Sequence, residues 1–293
     1  MVKKSINHFI LITLIIFSLA AIGLVKPMYS QSQVKDTTFH PYHVNYWVTS
    51  SILLAGIATE VIGVPWILNK SPVTDGELQS LDRINITAID RWALELDPSN
   101  MNQYRQLSDY VLAGIVVLPA LTMFDHNIRQ DWLDVLLMYL ETEIITLNIY
   151  TYSPFGPTFV NKFRPRVYYD EVNYSDRTLG TNRNSFYSGH VAAAAAATFF
   201  TAKIFCDYHP ELKGKKYLIY GAALIPPLIL SYIRVRALSH FPSDNMVGLG
   251  VGILCGIIIP ELHRLEDENI SMGLYSLPEA TGLAIRWQPN FLK

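Results

Sequence analysis

The chain has 293 residues, of which 50% are hydrophobic and only 16% are charged, and its formal net charge is -2. This composition is too apolar for an ordinary soluble domain and favours a membrane protein. The weak net charge gives no support for a nucleic-acid partner, because such a surface needs clustered lysine and arginine. The two cysteines match neither a disulfide framework nor a paired-cysteine metal site, since Cys206 lies at the end of one apolar segment and Cys255 inside another.

The first 30 residues have the pattern of a targeting segment. Lys3 and Lys4 precede an apolar stretch at residues 9–25, and Ser30 offers a small residue for cleavage. The stretch is short for a membrane crossing, which favours a cleaved signal peptide, and an uncleaved anchor helix is the alternative. Either way, we expect the chain to enter the export pathway.

Six further apolar segments have the length that a bilayer crossing needs. They cover residues 46–69, 107–124, 132–152, 191–205, 217–238 and 246–262. The third contains Glu141 and Glu143, which are costly against lipid, so we expect them to face the interior of a bundle, water or an interface. A soluble protein with buried core helices is the alternative, but uncharged runs of this length are uncommon in soluble proteins.

The apolar segments divide the chain and predict an all-α fold. We expect a signal peptide or anchor at residues 1–30, an N-terminal extension with the first apolar helix at 31–106, a helical core at 107–262 and a tail at 263–293. Within the extension, three isoleucines suggest a short amphipathic helix: Ile84, Ile86 and Ile89. The tail contains GLAIRWQPNF, which suits a short paired strand or a segment docked on the bundle.

Three polar clusters interrupt the apolar pattern, each at the end of a segment. They are NKFRPRVYYDE after the third segment, SFYSGH before the fourth and IRVRALSHFPSD before the sixth. If successive helices alternate in direction, the connection between the third and fourth segments and that between the fifth and sixth emerge on the same side. The three clusters can therefore form one site at one membrane face.

The residues in these clusters suit an oxyanion. Arg164 and Arg234, with Lys162 or Arg166 as a further cation, carry donors that match phosphate oxygens. Ser188 and the Gly189 amide add neutral donors at the start of an alanine-rich helix. The positive end of the helix dipole at this position also favours anions.

Two histidines complete the candidate site. His190 and His240 could act as a nucleophile and a proton donor, and Asp244 is close enough in sequence to hydrogen-bond the second ring nitrogen of His240 if a helix begins there. A basic residue beside a span usually sets topology, and a lone histidine is usually packed or solvated. The occurrence of all these residues together is what indicates a site.

This arrangement resembles the type 2 phosphatidic acid phosphatase (PAP2) superfamily over roughly residues 107–262. The family pattern is Lys-x6-Arg-Pro, Pro-Ser-Gly-His and Ser-Arg-x5-His-x3-Asp. Arg164 and Pro165 match the first motif, Ser188, Gly189 and His190 match the second, and the third is matched by Arg234, His240 and Asp244.

The chain departs from the family pattern at three positions. Pro157 stands where the first motif has lysine, Tyr187 replaces the proline of the second motif, and Ile233 replaces the serine of the third. Anchoring the first motif on Arg166 instead does not restore the lysine. We expect Lys162 to compensate for this lysine from a different backbone position.

The resemblance implies a six-helix transmembrane bundle and an integral membrane phosphatase without cofactor or metal. In the implied mechanism His240 attacks phosphorus to form a phosphohistidine, His190 protonates the leaving oxygen, and Asp244 holds His240. The implied substrate is a lipid phosphate monoester or pyrophosphate at the outer, periplasmic face of a bacterial-type inner membrane.

Two other functions are compatible with parts of this pattern. A non-catalytic lipid-phosphate binding protein of the same fold would explain the missing lysine but not the two histidines. A vanadium-dependent haloperoxidase would use a similar anion cradle, but those chains are large and soluble.

The membrane topology contains a conflict. The ELKGKKY stretch, with Lys213, Lys215 and Lys216, belongs in the cytoplasm by the positive-inside rule, which places the motifs outside. An exported N-terminus followed by two full crossings would place the motifs inside. Either residues 46–69, which contain Glu60, are re-entrant or interfacial, or the first apolar stretch is not translocated.

Overall fold

The computed structural model of the protein describes residues 39–264, 270–277 and 280–287. The predicted signal peptide or anchor at residues 1–30 lies outside the described residues. The helices are α1 (Tyr46–Leu68), α2 (Asp75–Gln79), α3 (Ala88–Arg91), α4 (Met101–Val116), α5 (His126–Gln130), α6 (Trp132–Tyr152), α7 (Tyr174–Arg177), α8 (Gly189–Tyr208), α9 (Lys216–Arg236) and α10 (Pro242–Leu262). Short 3-10 turns lie at Trp92–Leu94, Pro98–Asn100, Leu118–Phe124, Pro165–Tyr168, Gly180–Arg183 and Pro210–Lys215.

The predicted all-α architecture is confirmed over residues 39–264, since six of these helices coincide with the six apolar segments. α4 begins earlier than the second apolar segment, at Met101 instead of residue 107, so its first turns consist of largely polar sequence. α10 begins at Pro242 because proline suits the first helical position, and the Asp244 carboxylate accepts a hydrogen bond from the Phe241 amide at 2.9 Å. The predicted amphipathic helix near Ile84 is replaced by two short helices, α2 and α3.

Five stretches of the described chain are long and apolar enough to cross a membrane. They are Tyr46–Leu68, Pro98–Phe124, Gly189–Tyr208, Pro210–Arg236 and Pro242–Leu262. α6 is not among them, and it carries Glu141 and Glu143. Glu141 is buried and lies 3.1 Å from the Nε2 of His263, so it faces protein rather than lipid, as predicted.

α8 and α10 form the most extensive helix pairing among the described residues. Gly248, Gly252 and Gly256 repeat every fourth residue along α10, and each lies against the α8 backbone. A Cβ at Gly252 would overlap the carbonyl oxygen of Ala192. The alanine-rich sequence of α8 presents small buried side chains to this stripe, and helices in lipid pack closely through such small residues.

Hydrogen bonds at the two ends of the bundle fix the direction of the helices. At one end the Ile67 carbonyl at the close of α1 accepts from Asn184 Nδ2 at 2.7 Å, beside the three polar clusters. At the other end the His43 amide donates to the His263 carbonyl at 2.8 Å, and His40 Nδ1 lies 2.8 Å from Asp131. The helices therefore alternate in direction and bring the clusters to one end.

α1 is a continuous helix of 23 residues, which exceeds the roughly 20 needed to span a bilayer. It packs against α6 and runs the full distance between the two ends of the bundle. This geometry does not match a re-entrant segment at residues 46–69.

The N-terminal extension contributes to the packing beneath the polar clusters. Ala93, Leu94 and Met101 are buried in one hydrophobic cluster with residues that flank the motifs. These partners are Tyr169, Val172, Val235, Leu238 and Phe241. Beyond the helices, strands β1 (Ile270–Leu277) and β2 (Ala280–Trp287) form an antiparallel pair in the tail.

Candidate active site

The three polar clusters predicted to converge do meet in the structure. Arg234 Nη2 lies 3.1 Å from His240 Nε2 within the third cluster. The Ser188 amide donates to the Asp244 carbonyl at 3.1 Å, which joins the second cluster to the third. Lys162 Nζ lies 2.6 Å from Asp244 Oδ1 and joins the first.

His240 is held with one ring nitrogen available as a nucleophile. Its side chain is buried, and Nδ1 lies 2.6 Å from the carbonyl of Ser185, so Nδ1 carries the proton. Nε2 then has a lone pair, directed toward Arg234. Burial, followed by the charges of Arg234 and Arg164, holds the pKa of His240 well below its usual value, so the imidazole is neutral.

Three donor atoms beside this histidine are buried without a hydrogen-bond partner in the described chain. They are Arg164 Nε, Arg234 Nε and Ser188 Oγ. A buried unpaired donor costs about 1–3 kcal/mol, and more when the group is charged. Burial also lowers the pKa of the Arg164 guanidinium. A tetrahedral oxyanion would satisfy these donors together.

The turn into α8 supplies part of this cradle. Ser188 is the N-cap residue of α8, yet its hydroxyl makes no cap hydrogen bond to the helix. The hydroxyl and the positive end of the helix dipole are therefore both available to an anion. A Cβ at Gly189 would lie 3.1 Å from the ring of Tyr150, so packing against this ring also favours glycine here. Tyr187, at the position of the motif proline, is buried and packs edge to face on Tyr150.

The hydrogen bonds of Asp244 differ from the expected one to His240. Its Oδ2 accepts from Ser185 Oγ at 2.6 Å and from the Phe241 amide at 2.9 Å. The carboxylate turns back because Asp244 lies in the first turn of α10, where it caps the helix. It therefore acts on His240 through Ser185, whose carbonyl accepts from the ring.

The contacts of Lys162 differ from those expected of a phosphate ligand. Its ammonium lies 2.6 Å from Asp244 Oδ1 and 3.4 Å from Asp90 Oδ2, and 4.8 Å from the centre of the Phe241 ring. Asp90 also accepts from the amide and hydroxyl of Ser243 at 2.8 and 2.6 Å. The lysine charge is thus paired with two buried carboxylates.

Arg166, the other cation considered for the cradle, supports the turn before His240. Its Nη2 donates to Ser239 Oγ at 2.6 Å and its Nε donates to the Leu238 carbonyl at 3.2 Å. Leu238 has a φ of 48°, a conformation that costs a non-glycine residue of order 1–3 kcal/mol. The hydrogen bonds from Arg166 hold this strained turn in place.

One face of α4 also reaches the site, which sequence reasoning missed. Asp109 Oδ1 lies 3.1 Å from His190 Nε2, and Ser108 Oγ accepts from Arg234 Nη1 at 3.0 Å. Arg105 lies one helical turn earlier on the same face and near enough to Arg164 to oppose its charge. The signal in the sequence was the polar spacing of these residues at the edge of an apolar segment.

Comparisons with known proteins point to the same region of the chain. Residues 131–267 match the family model of the PAP2 superfamily. Among solved structures, the chain is similar to a transmembrane PAP2-type phosphatidylglycerolphosphate phosphatase from Bacillus subtilis, at 20% identity with a TM-score of 0.41. That match covers 74% of this chain and 96% of the other. A search of curated proteins gives no significant match.

The matched residues contain α6, α8, α9 and α10, together with all three motifs. The similarity to the PAP2 superfamily therefore covers the part of the chain that carries the candidate site.

Proposed function

We propose that this protein is an integral membrane phosphatase that hydrolyses a lipid phosphate monoester or pyrophosphate through a phosphohistidine, without a metal. The observation that carries the proposal is the neutral Nε2 of His240 beside the buried, unpaired donors of Arg164, Arg234 and Ser188. A nucleophile and an oxyanion cradle are then present within one buried site.

The reaction proceeds in two displacements. His240 Nε2 attacks phosphorus, the bond from phosphorus to the leaving oxygen breaks, and His190 gives that oxygen a proton. A water molecule then attacks the phosphohistidine, His190 takes a proton from the water, and inorganic phosphate leaves. Arg164, Arg234 and Ser188 stabilise the additional negative charge at phosphorus in both steps.

The proposed substrate is a lipid, because the site lies at the end of a bundle of apolar helices. The side chain of His190 is 33% exposed and that of Asp109 is 42% exposed, whereas Ser188 and His240 are buried. The lipid body therefore leaves past His190, which fits this histidine as the proton donor.

The site opens on the outer face of the inner membrane in this proposal. The lysine-rich connection at Pro210–Lys215 lies at the opposite end of the bundle and favours the cytoplasm. The residues from Phe39 to Asn45 then also lie on the cytoplasmic side, because they share that end.

A non-catalytic lipid-phosphate binding protein remains the second candidate. It is favoured by one observation, the pairing of Lys162 with Asp90 and Asp244, which leaves the absent motif lysine without a substitute there. Turnover separates the two functions, since a binding protein releases no phosphate.

The test is phosphate release from phosphatidate and from a polyprenyl pyrophosphate by the purified protein in detergent. We expect turnover of at least one lipid, retained in EDTA and inhibited by vanadate, which copies the five-coordinate transition state. Loss of activity in EDTA that a divalent ion restores would replace the histidine mechanism with a metal-assisted one. Absence of turnover on every lipid phosphate, with vanadate still bound, would favour the binding protein.

A further inference from the structure

One face of α4 supplies side chains to a site whose motifs all lie elsewhere in the chain. Arg105, Ser108 and Asp109 follow the i, i+3, i+4 spacing that places residues on one side of a helix. Two of them make direct contacts, Ser108 with Arg234 and Asp109 with His190. α4 therefore contacts both a cradle arginine and the histidine at the opening.

Within the described residues, three elements contribute charged groups near His190. Asp109 of α4 approaches Nε2 at 3.1 Å, while Arg234 of α9 and Arg164 of the loop after α6 act on the ring electrostatically. The two arginines disfavour a positive imidazole, and the carboxylate of Asp109 favours it. Within the described residues, Asp109 is thus the carboxylate in direct contact with His190.

Asp109 lies beside His190 at an exposed part of the site. It is the more exposed partner of the pair, and the cradle atoms on the other side are buried. A carboxylate inside the cradle would repel phosphate, whereas the carboxylate of Asp109 contacts His190, with Oδ1 at 3.1 Å from Nε2. This position suits a group that orients the proton donor and makes no contact with substrate.

We propose that Asp109 is the positioning residue of the proton donor, holding the Nε2–H of His190 so that the other ring nitrogen faces the leaving oxygen. This inference rests on the proposed function. The charged imidazole has a proton on each nitrogen, and Asp109 accepts one of the two hydrogen bonds. The other proton passes to the leaving oxygen as its bond to phosphorus breaks, and water returns a proton to the same nitrogen in the second step.

The test is a double-mutant cycle with two substrates of different leaving-group quality. Asp109→Ala, His190→Ala and the double variant are assayed on phosphatidate, whose alkoxide needs a proton, and on p-nitrophenyl phosphate, whose phenolate needs little help. General acid catalysis contributes about 100- to 10,000-fold. We expect Asp109→Ala to lower kcat on phosphatidate about 10- to 100-fold, without raising KM, and to affect p-nitrophenyl phosphate only slightly.

The central result is the effect of Asp109→Ala when His190 is already absent. If Asp109 acts through His190, its removal lowers kcat hardly any further once His190 is already replaced. If Asp109 has an independent structural role, the two fold-losses of kcat multiply in the double variant. Gln106→Ala, an exposed position on α4, is the matched control and should behave as the unmodified protein. Asp109→Asn keeps an acceptor oxygen and should recover part of the loss.

Three outcomes would overturn the proposal: unchanged turnover of phosphatidate in Asp109→Ala, an equal loss on both substrates, or a full additional loss in the double variant. Thermal unfolding of each variant shows whether it is folded, and Asp109→Asn repeats the test if Asp109→Ala is not. Failure of the proposed function is distinguishable, because His240→Ala would then keep its activity. If His240→Ala is inactive and Asp109→Ala is normal, only the role of Asp109 is wrong.

Discussion

At the scale of single residues, the protonation state of His240 determines whether the site is ready to react. Burial and the charges of Arg234 and Arg164 hold its pKa well below that of a solvent-exposed histidine. The reactive form is the neutral one, so activity should persist as pH falls below about 6.5, the usual histidine pKa. It is lost only when the pH reaches the lowered pKa of His240.

Arg164→Gln tests this coupling. Removing one of the charges that lower the pKa of His240 raises that pKa, so the acid limb of the kcat/KM profile should move to higher pH. The variant should also lose activity overall, because a cradle donor is gone. The measurement is kcat/KM against pH on p-nitrophenyl phosphate for both proteins. An acid limb at the same pH in both would contradict the electrostatic account.

Lys162 has a different expected role once its contacts are known. Its ammonium pairs with Asp90 and with Asp244, which is buried. Lys162→Met leaves a buried carboxylate unpaired and should lower the free energy of unfolding by about 1–3 kcal/mol, with the surface variant Lys213→Ala near zero. Thermal unfolding in detergent measures the difference.

Adding Asp244→Asn to Lys162→Met removes the unpaired charge as well and should recover part of that stability. Normal stability in Lys162→Met, accompanied by weaker vanadate binding, would instead restore Lys162 as a phosphate ligand.

At the scale of elements, the site depends on how closely α8 and α10 approach each other. Gly248 lies against the carbonyl of Ser188, and Ser188 donates its amide to the Asp244 carbonyl. The glycine stripe of α10 therefore fixes the distance between the second and third motifs. Any side chain that separates the two helices also separates the cradle from the nucleophile.

Gly252→Ala should lower both stability and kcat, because its Cβ would overlap the Ala192 carbonyl and push α10 away from α8. We expect a loss of about 1–3 kcal/mol, as for other overpacked contacts. Gly250→Ala, on the same helix with open space around its Cβ, is the control and should be nearly neutral. Equal unfolding temperatures for the two variants would show that the stripe does not set the helix spacing.

At the scale of the whole molecule, the sequence was sufficient to predict the six helices and the convergence of the three motifs. Uncharged runs of bilayer length and helices that alternate in direction carry this information directly. The contacts of Lys162, Asp244 and Asp109 could not be predicted, because they depend on the packing of loops and of α4. Residues 70–100, between the first two apolar segments, contribute Asp90 to this packing.

The direction of the helices also bears on the predicted signal peptide. Residues 39–45 lie at the end of the bundle opposite the site, so a cleaved and exported N-terminus would place the site in the cytoplasm. An outward-facing site requires residues 39–45 to stay inside, whereas cleavage of an exported signal peptide at residues 1–30 would place them outside.

Labelling of single introduced cysteines in intact cells with a membrane-impermeant maleimide tests the orientation. Glu171→Cys at the site end should be labelled, while His43→Cys and Lys215→Cys should react only after lysis. The reverse pattern would place the active site in the cytoplasm and favour an exported N-terminus. The unmodified protein is the control, since Cys206 and Cys255 are buried.

The most direct test of the account is to trap the covalent intermediate. Purified protein is mixed briefly with a lipid substrate labelled with 32P at the phosphate, quenched in alkali, which preserves phosphohistidine, and mapped by proteolysis. The account predicts label on His240 in the unmodified protein and none in His240→Ala, which should also lack turnover. Turnover without any label on His240, or full activity in His240→Ala, would contradict it.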